Sequence, residues 1–386
     1  MSQNPHEFSR RVLFAATGLS PQVVTESVYA LAVRQQPPFV PTEVRLITTK
    51  EGAERARLSL LHPKSGWFHR LRAEYALPEI HFDKSCIHEL EGQHGQPLSD
   101  IRTKRDNVAA ADAISDMVRE LTGDQDAALH VSIAGGRKTL GFYLGYTLSL
   151  YGRPQDRLSH VLVSEPFESH PLFFYPTRES RIIHTQPPNP RPCDTRDATV
   201  TLAEIPFVRL REGLPKRLLR GNARFSEVVS AAQRSIGPTE LVLDLPGRKL
   251  RAGGETLASA PPALLAFIAW LARRRVAGSD WVACPSEGAP DIGYAKDYLA
   301  EYHEVVGPMG EAERTANRLR DGMDEKFFSQ TKSKLQSYLR DKLGDRNALP
   351  YLVVCAGKRP RRRYGIDLEA GSIRFEPIKA ELEPEA

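Results

Sequence analysis

Two short segments of this chain bring glycine, hydroxyl and cationic side chains together at spacings that suit a phosphate. In AALHVSIAGGRKT, residues 127–139, an apolar strand-like run stops at Gly135 and Gly136, and Arg137, Lys138 and Thr139 follow at once on a helical pattern. Paired glycines let the backbone turn tightly off a strand. The free amides of the first helical turn then point at one spot, beside two cations and a hydroxyl. In ATGLSPQ, residues 16–22, Gly18 permits a second turn between Thr17 and the next helix, Ser20 is predicted to cap that helix, Pro21 to take its first position, and Gln22 to join the ligand site. If the two strands are neighbours, two helix starts converge on one cleft, each favouring an anion by about 0.3–1 kcal/mol. Arg137 and Lys138 oppose the helix dipole where they stand, and a bound anion explains that penalty.

Familiar nucleotide motifs are missing. Lys138 does not directly follow a glycine and Val131 stands where a P-loop has its first glycine, so the loop that wraps a triphosphate is absent. No G-x-G-x-x-G, no G-x-S-x-G and no His/Asp/Glu group at helical metal spacing occurs, which argues against dinucleotide binding, acyl transfer and metal-assisted hydrolysis. No metal and no cofactor is expected, and the ligand reads as a phosphodiester. The segment DIRTKRDN, residues 100–107, places three cations before a long helical pattern; on spacing alone it reads as a solvated turn with Asp106 favouring the helix start, and Arg102 is the residue assigned to the ligand if one of the three reaches it. Glu165 and Glu168 follow another apolar run, and Glu168 is assigned to a ribose hydroxyl or an adenine amine.

The elements that must position these residues alternate. RRVLFAAT, EVRLITT, EIHF, ALHVSIA and RLSHVLVS read as strands, with helical patterns between them, which predicts an α/β fold with a Rossmann-like parallel sheet covered on both faces. Ligands of such sheets sit at the carboxyl edge of the strands, where both glycine turns fall. TQPPNPRPC, residues 185–193, is predicted to be a stiff linker or domain edge. The expected domains are residues 1–205, connecting helices over 206–239, and a smaller α+β domain over 240–386 that ends in the acidic tail ELEPEA. Up to residue 205 the chain has 23 Lys/Arg against 24 Asp/Glu, and after it 30 against 24, a basic excess that permits contact with nucleic acid. The four cysteines lie far apart and read as bland thiols. With no apolar stretch of membrane length and no signal-peptide pattern, no membrane contact and a cytoplasmic location are expected.

VLFAATGLSPQVVTE, LSDIRTKRDN, HVSIAGGRKT and DRLSHVLVSEPFE together resemble the CRISPR-associated Rossmann-fold (CARF) proteins, and among them the CRISPR-associated ring nuclease family, over about residues 10–210. The resemblance implies a domain that binds cyclic oligoadenylate, expected to be cyclic tetra-adenylate, the second messenger of type III CRISPR immunity. It also implies a pocket shared across a homodimer and metal-independent cleavage of the ring. In that reaction a ribose 2′-hydroxyl attacks the adjacent phosphorus and displaces the 5′-oxygen, leaving a 2′,3′-cyclic phosphate. The protein must hold the sugar in line and stabilise charge on the phosphoryl oxygens. Lys138 matches the family's lysine after the glycine pair and is assigned that stabilisation, with Arg137 beside it; Ser20 and Thr17 orient sugar or phosphate. Gly18, Gln22, Arg102, Gly135, Gly136, Thr139 and Glu168 complete the expected ligand site. No general base is assigned, and no Arg/His pair of HEPN ribonuclease type follows residue 205.

From Glu240 the order hairpin, helix, helix, cationic helix, cationic hairpin resembles a winged helix. FFSQTKSKLQSYLRDKLG would be its recognition helix, offering Gln330, Lys332, Lys334 and Gln336 to a major groove, and GKRPRRRYG its wing, with Arg361, Arg362 and Arg363 on phosphates. Double-stranded DNA is the partner this implies, although winged helices also make protein contacts. Two expectations stand side by side: a ring nuclease, or a cyclic oligoadenylate-gated winged-helix transcription regulator that binds the ring without cleaving it.

Overall fold

The computed structural model describes residues 4–92, 95–234, 237–279, 281–286, 288–307, 312–358 and 361–378. The acidic tail ELEPEA, and Arg359 and Pro360 in GKRPRRRYG, lie outside the described residues. The chain divides into two compact units, Met1–Arg211 with Leu219–Glu227, and Glu212–Leu218 with Val228–Ala386.

In the first unit the apolar runs become β1 (Arg10–Ala16), β2 (Glu43–Thr48), β3 (Ile87–Glu89), β4 (Ala127–Ser132) and β5 (Arg157–Val163), joined by β8 (Val200–Glu204) in one sheet ordered β3-β2-β1-β4-β5-β8. Neighbours are parallel except β8, which runs antiparallel to β5. Helices α1 (Gln22–Tyr29), α2 (Lys50–Leu60), α3 (Trp67–Glu74), α4 (Lys104–Gly123) and α5 (Lys138–Tyr151) connect the parallel strands. All six residues of β4 are buried, as a strand covered on both faces requires. The chain steps outward from β1 to β2 and β3, then returns to place β4 on the other side of β1. The carboxyl ends of β1 and β4 therefore form the topological switch point where open α/β sheets take their ligands.

Two expectations are corrected. EIHF buries Ile80 and Phe82 but gives only an isolated bridge, His81 to Glu43, and the third strand starts later, at Ile87, where continuous pairing with β2 begins. The proline-rich segment is neither linker nor domain edge. It closes a hairpin of β6 (Ile182–His184) and β7 (Pro192–Asp194), held by the Thr185 amide on the Arg191 carbonyl at 2.9 Å. The sheet of the first unit then resumes with β8, which pairs antiparallel with β5 at the sheet's edge.

The helices α6 (Lys216–Arg220) and α7 (Phe225–Arg234) follow. The second unit has a four-stranded sheet ordered β11-β10-β9-β15, made of β9 (Leu241–Asp244), β10 (Lys249–Ala252), β11 (Glu255–Leu257) and β15 (Ile373–Phe375). Its other elements are α8 (Pro262–Val276), β12 (Val282–Ala283), α9 (Ile292–Val306), α10 (Glu313–Arg318), α11 (Glu325–Leu343), α12 (Asp345–Ala348) and the antiparallel pair β13 (Val353–Ala356) and β14 (Arg363–Ile366). These strands form a sheet ordered β12-β14-β13. α8 is buried continuously from Leu264 to Ala272 and forms the centre of this core. α11 starts with the Asp324 carboxylate accepting from the Phe327 amide at 2.7 Å and stops at Gly344, whose φ of 84° lies in the left-handed region that favours glycine. Among the described residues no helix is long and apolar enough to cross a membrane.

Candidate functional site

The turn after β1 is locked from three sides. Thr17 is fully buried; its hydroxyl donates to the Ser20 carbonyl at 2.9 Å, and its own carbonyl accepts from the Thr48 hydroxyl at 2.6 Å. A Cβ added to Gly52 of α2 would lie 2.8 Å from the Gly18 carbonyl oxygen, so the start of α2 presses on the same turn. The Thr17 side chain thus shapes the turn, because its hydroxyl already has a partner within it. The predicted cap is also corrected. Pro21, in helical backbone at φ −73° and ψ −4°, is the N-cap residue of α1, which displaces Ser20 one position outside the cap. The Ser20 hydroxyl is exposed and has no hydrogen-bond partner among the described residues.

The turn after β4 meets the first one. Gly136 has φ of 83°, a conformation that favours glycine, and a Cβ on Gly18 would lie 3.5 Å from the Gly136 Cα. A Cβ on Gly135 would lie 2.8 Å from the Ala16 carbonyl oxygen. Side by side on β1 and β4, these turns bring together the starts of α1 and α5, and neither helix has a side-chain cap. By contrast, α2 is capped by Thr49 and α4 by a reciprocal box of Thr103 and Asp106. The uncapped starts flank a cavity of about 450 Å³ lined by the Thr17–Ser20 turn, Thr49 and Glu51 of the β2–α2 junction, Ser99, Asp100 and Arg102 ahead of α4, and Gly136, Arg137 and Leu140. Its orphan amides and cations favour an anion.

Asp100, to which the sequence pattern assigns no role, organises these cations. Arg137 donates Nε to Asp100 Oδ1 at 2.9 Å and Nη2 to Oδ2, and Arg102 donates Nε to Oδ2 at 3.2 Å. The paired Arg137 fork, with Arg102 and the Ile101 amide behind it, holds the Asp100 carboxyl down to about 2. The signal in the sequence was an aspartate two residues before Arg102, but only the fold brings Arg137 to it across 37 positions.

A second cavity of about 250 Å³ shares Ser20 and Gly136 with the first and adds Gln22, Glu26, Gly135, His160, Glu168 and His170. Glu26 is 7% exposed, and burial, with the Glu168 carboxylate adding to it, pushes its carboxyl up to about 8. The Gln22 amide donates to the Pro171 carbonyl at 3.1 Å, while its Oε1 is buried with no partner among the described residues. Glu26 and His160 carry no signal in the sequence: one sits on a helix that reads as apolar and the other inside a strand. Lys138 and Thr139 are exposed on the first turn of α5 and line neither cavity. The site residues placed in a cavity are therefore Thr17, Gly18, Ser20, Gln22, Arg102, Gly135, Gly136, Arg137 and Glu168.

Among the described residues, three potential metal donors gather at His81, Asp83 and Cys86, within 4.8 Å of one another; none of them lines either cavity. In the second unit Lys334, Arg361, Arg362 and Arg363 are exposed. Lys332 lies over the Tyr364 ring at 4.3 Å, and the Gln336 amide donates to the Val353 carbonyl at 3.0 Å, so both brace α11 against the β13–β14 hairpin.

Residues 20–238 match the family described as CRISPR-associated protein NE0113. No curated protein matches the chain. Among solved structures, Enterococcus italicus Csm6 bound to cyclic hexa-2′-fluoro-hexa-dAMP is similar at 12% identity and a TM-score of 0.25, over 86% of this chain. The match spans 57% of the Csm6 chain's length.

Proposed function

Because this chain belongs to the CRISPR-associated protein NE0113 family, we propose that its first unit binds cyclic oligoadenylate, with cyclic tetra-adenylate as the working ligand, and cleaves it as a metal-independent ring nuclease. One observation carries this reading: two uncapped helix starts and the Arg137–Asp100–Arg102 cluster meet at the switch point of the sheet, around glycine turns that touch. The amides and guanidinium groups receive a phosphodiester and stabilise charge on its oxygens as the 2′-hydroxyl attacks. The free Ser20 hydroxyl orients the sugar. Lys138 follows Arg137 at the helix start and brings an ammonium on a flexible four-carbon stem to the same phosphate once the ring is bound. A cavity of about 450 Å³ is the size that takes one drug-sized ligand, roughly 300–1,000 Å³, so a ring of four nucleotides is divided between two copies in a homodimer. Leu19 and Phe142, 50% and 63% exposed, are apolar residues that a second copy covers.

The test is an incubation with labelled cyclic tetra-adenylate in EDTA. Linear product ending in a 2′,3′-cyclic phosphate is expected, and Lys138→Ala should slow it by about 10²–10³-fold, as for removal of an oxyanion stabiliser. An intact ring after prolonged incubation with excess protein would overturn the nuclease reading.

A second reading is favoured by one observation: Lys138 lines neither cavity. The chain would then sense the ring without cutting it and act through its second unit, where α8, β12, α9, α11 and the β13–β14 hairpin follow the order we read as a winged helix. An intact ring together with duplex DNA binding that changes on adding the ring would establish it.

A further inference from the structure

The two adjoining cavities differ in chemistry. The first gathers guanidinium groups and uncapped helix starts, whereas the second has no lysine or arginine in its lining and holds two carboxyls and two histidines among Val23, Ala134, Val161 and Val163. A phosphate is repelled there. A neutral, flat group with hydrogen-bonding edges is accommodated, and at about 250 Å³ the space takes a fragment of a nucleotide rather than the whole. The two cavities meet at Ser20 and Gly136, so one nucleotide spans them with its phosphate in the first.

Two polar groups in this wall lack partners. Gln22 Oε1 is buried and unpaired while its own amide nitrogen is fixed on the Pro171 carbonyl, and the carboxyl of Glu26, a residue 7% exposed, borders the cavity with no hydrogen bond or ion pair among the described residues. Buried polar atoms are rarely left so without a ligand to meet them. Resting on the reading above, we infer that the second cavity is a subsite for a single adenine base, with the Glu26 carboxyl and the Gln22 amide oxygen as its hydrogen-bonding groups. An adenine edge offers the 6-amino donor beside a ring-nitrogen acceptor. A protonated carboxyl supplies the matching acceptor and donor, and Gln22 Oε1 takes the second amino hydrogen.

The groups facing Glu26 set the pH response. Glu168 stands opposite and disfavours its ionisation, and His160 on β5 and His170 beyond it are the remaining titratable neighbours in the lining. Burial keeps Glu26 protonated at neutral pH. Raising the pH through about 8 ionises it, removes its donor and weakens adenine binding.

Calorimetry on the full chain tests this with three probes: cyclic tetra-adenylate, the same ring built from purine without the 6-amino group, and adenosine 5′-monophosphate. Glu26→Leu is expected to weaken cyclic tetra-adenylate on the order of ten- to a hundredfold, and loss of the amino group to do the same in the parent chain. Glu26→Gln should keep most of the affinity and lose the weakening between pH 7 and 9; its thermal melt serves as the folding control. A ring bound equally well by the parent and by folded Glu26→Leu would overturn the subsite while leaving ring binding intact. No ring binding, with adenosine 5′-monophosphate still bound in a Glu26-dependent way, would overturn the ring reading and support the subsite. Failure of the monophosphate to respond to Glu26 as well would overturn both.

Discussion

The carboxyl edge of β1 and β4 and the β13–β14 hairpin are both cationic, but they hold their charges differently. At the sheet edge Arg137 and Arg102 share one carboxylate, Asp100, which aims the Arg137 fork and leaves the cluster with a single net positive charge. On the hairpin Arg361, Arg362 and Arg363 are exposed and form no ion pair among the described residues. A fixed fork beside oriented amides selects an anion by shape, whereas unpaired surface cations raise a field that any polyanion feels. The difference separates cations fixed by a shared carboxylate from cations left unpaired among the described residues.

The contrast breaks most severely by steric means. In Gly135→Ala the new Cβ lies 2.8 Å from the Ala16 carbonyl oxygen and 2.9 Å from Val23 Cγ2, so the two turns must part. A stability loss of about 1–3 kcal/mol is expected in denaturant melts, with loss of measurable ring binding. Parent-like affinity in that variant would show that the turns need not touch.

Removing the fork comes next. Arg137→Ala should weaken cyclic tetra-adenylate by about 1.5–3 kcal/mol, the range for hydrogen bonds to charged groups, and Arg102→Ala by less, because the Arg102 side chain is 81% exposed. The opposite ranking in calorimetry would place the phosphate on the outer wall of the cavity.

A smaller effect sharpens the role of Asp100. Its carboxyl is held down to about 2 in the folded chain, against roughly 3.9 in a free one, so its hold on Arg137 is complete above that free value and is lost as the pH falls through about 2. Carboxyl NMR should find its midpoint moved up toward the free value in Arg137→Ala; an unmoved midpoint would mean that the fork does not hold it.

The weakest expected effect lies on the hairpin. Replacing Arg361, Arg362 and Arg363 with glutamine should lower duplex affinity uniformly across sequences and flatten the salt slope by about 0.9 for each phosphate that is no longer neutralised, leaving ring affinity unchanged. A sequence-selective loss would make these residues readers of bases.

Much of the site was legible because glycine, proline and helix-start chemistry act locally. Gly136 is the residue type that can take the left-handed backbone a tight strand-to-helix turn calls for, and the helix begins at Lys138 as the pattern predicts. Errors arose where a local rule had two solutions. Ser20 followed by Pro21 reads as a cap, yet Pro21 itself enters helical backbone. The prolines of residues 185–193 read as a linker, yet they close a hairpin.

By its own residue pattern the sequence determined the alternation of strands and helices, the two glycine turns, the apolar α8 and the cationic hairpin, because each depends on neighbours within a few positions. Only the tertiary structure decided that β1 and β4 lie side by side, that Asp100 meets Arg137, and that Glu26, Gln22 and His160 share a second cavity. Those meetings join residues up to well over a hundred positions apart. Their physical cause is the order of strands in a buried sheet, which packing of the whole unit selects and no short stretch of chain encodes.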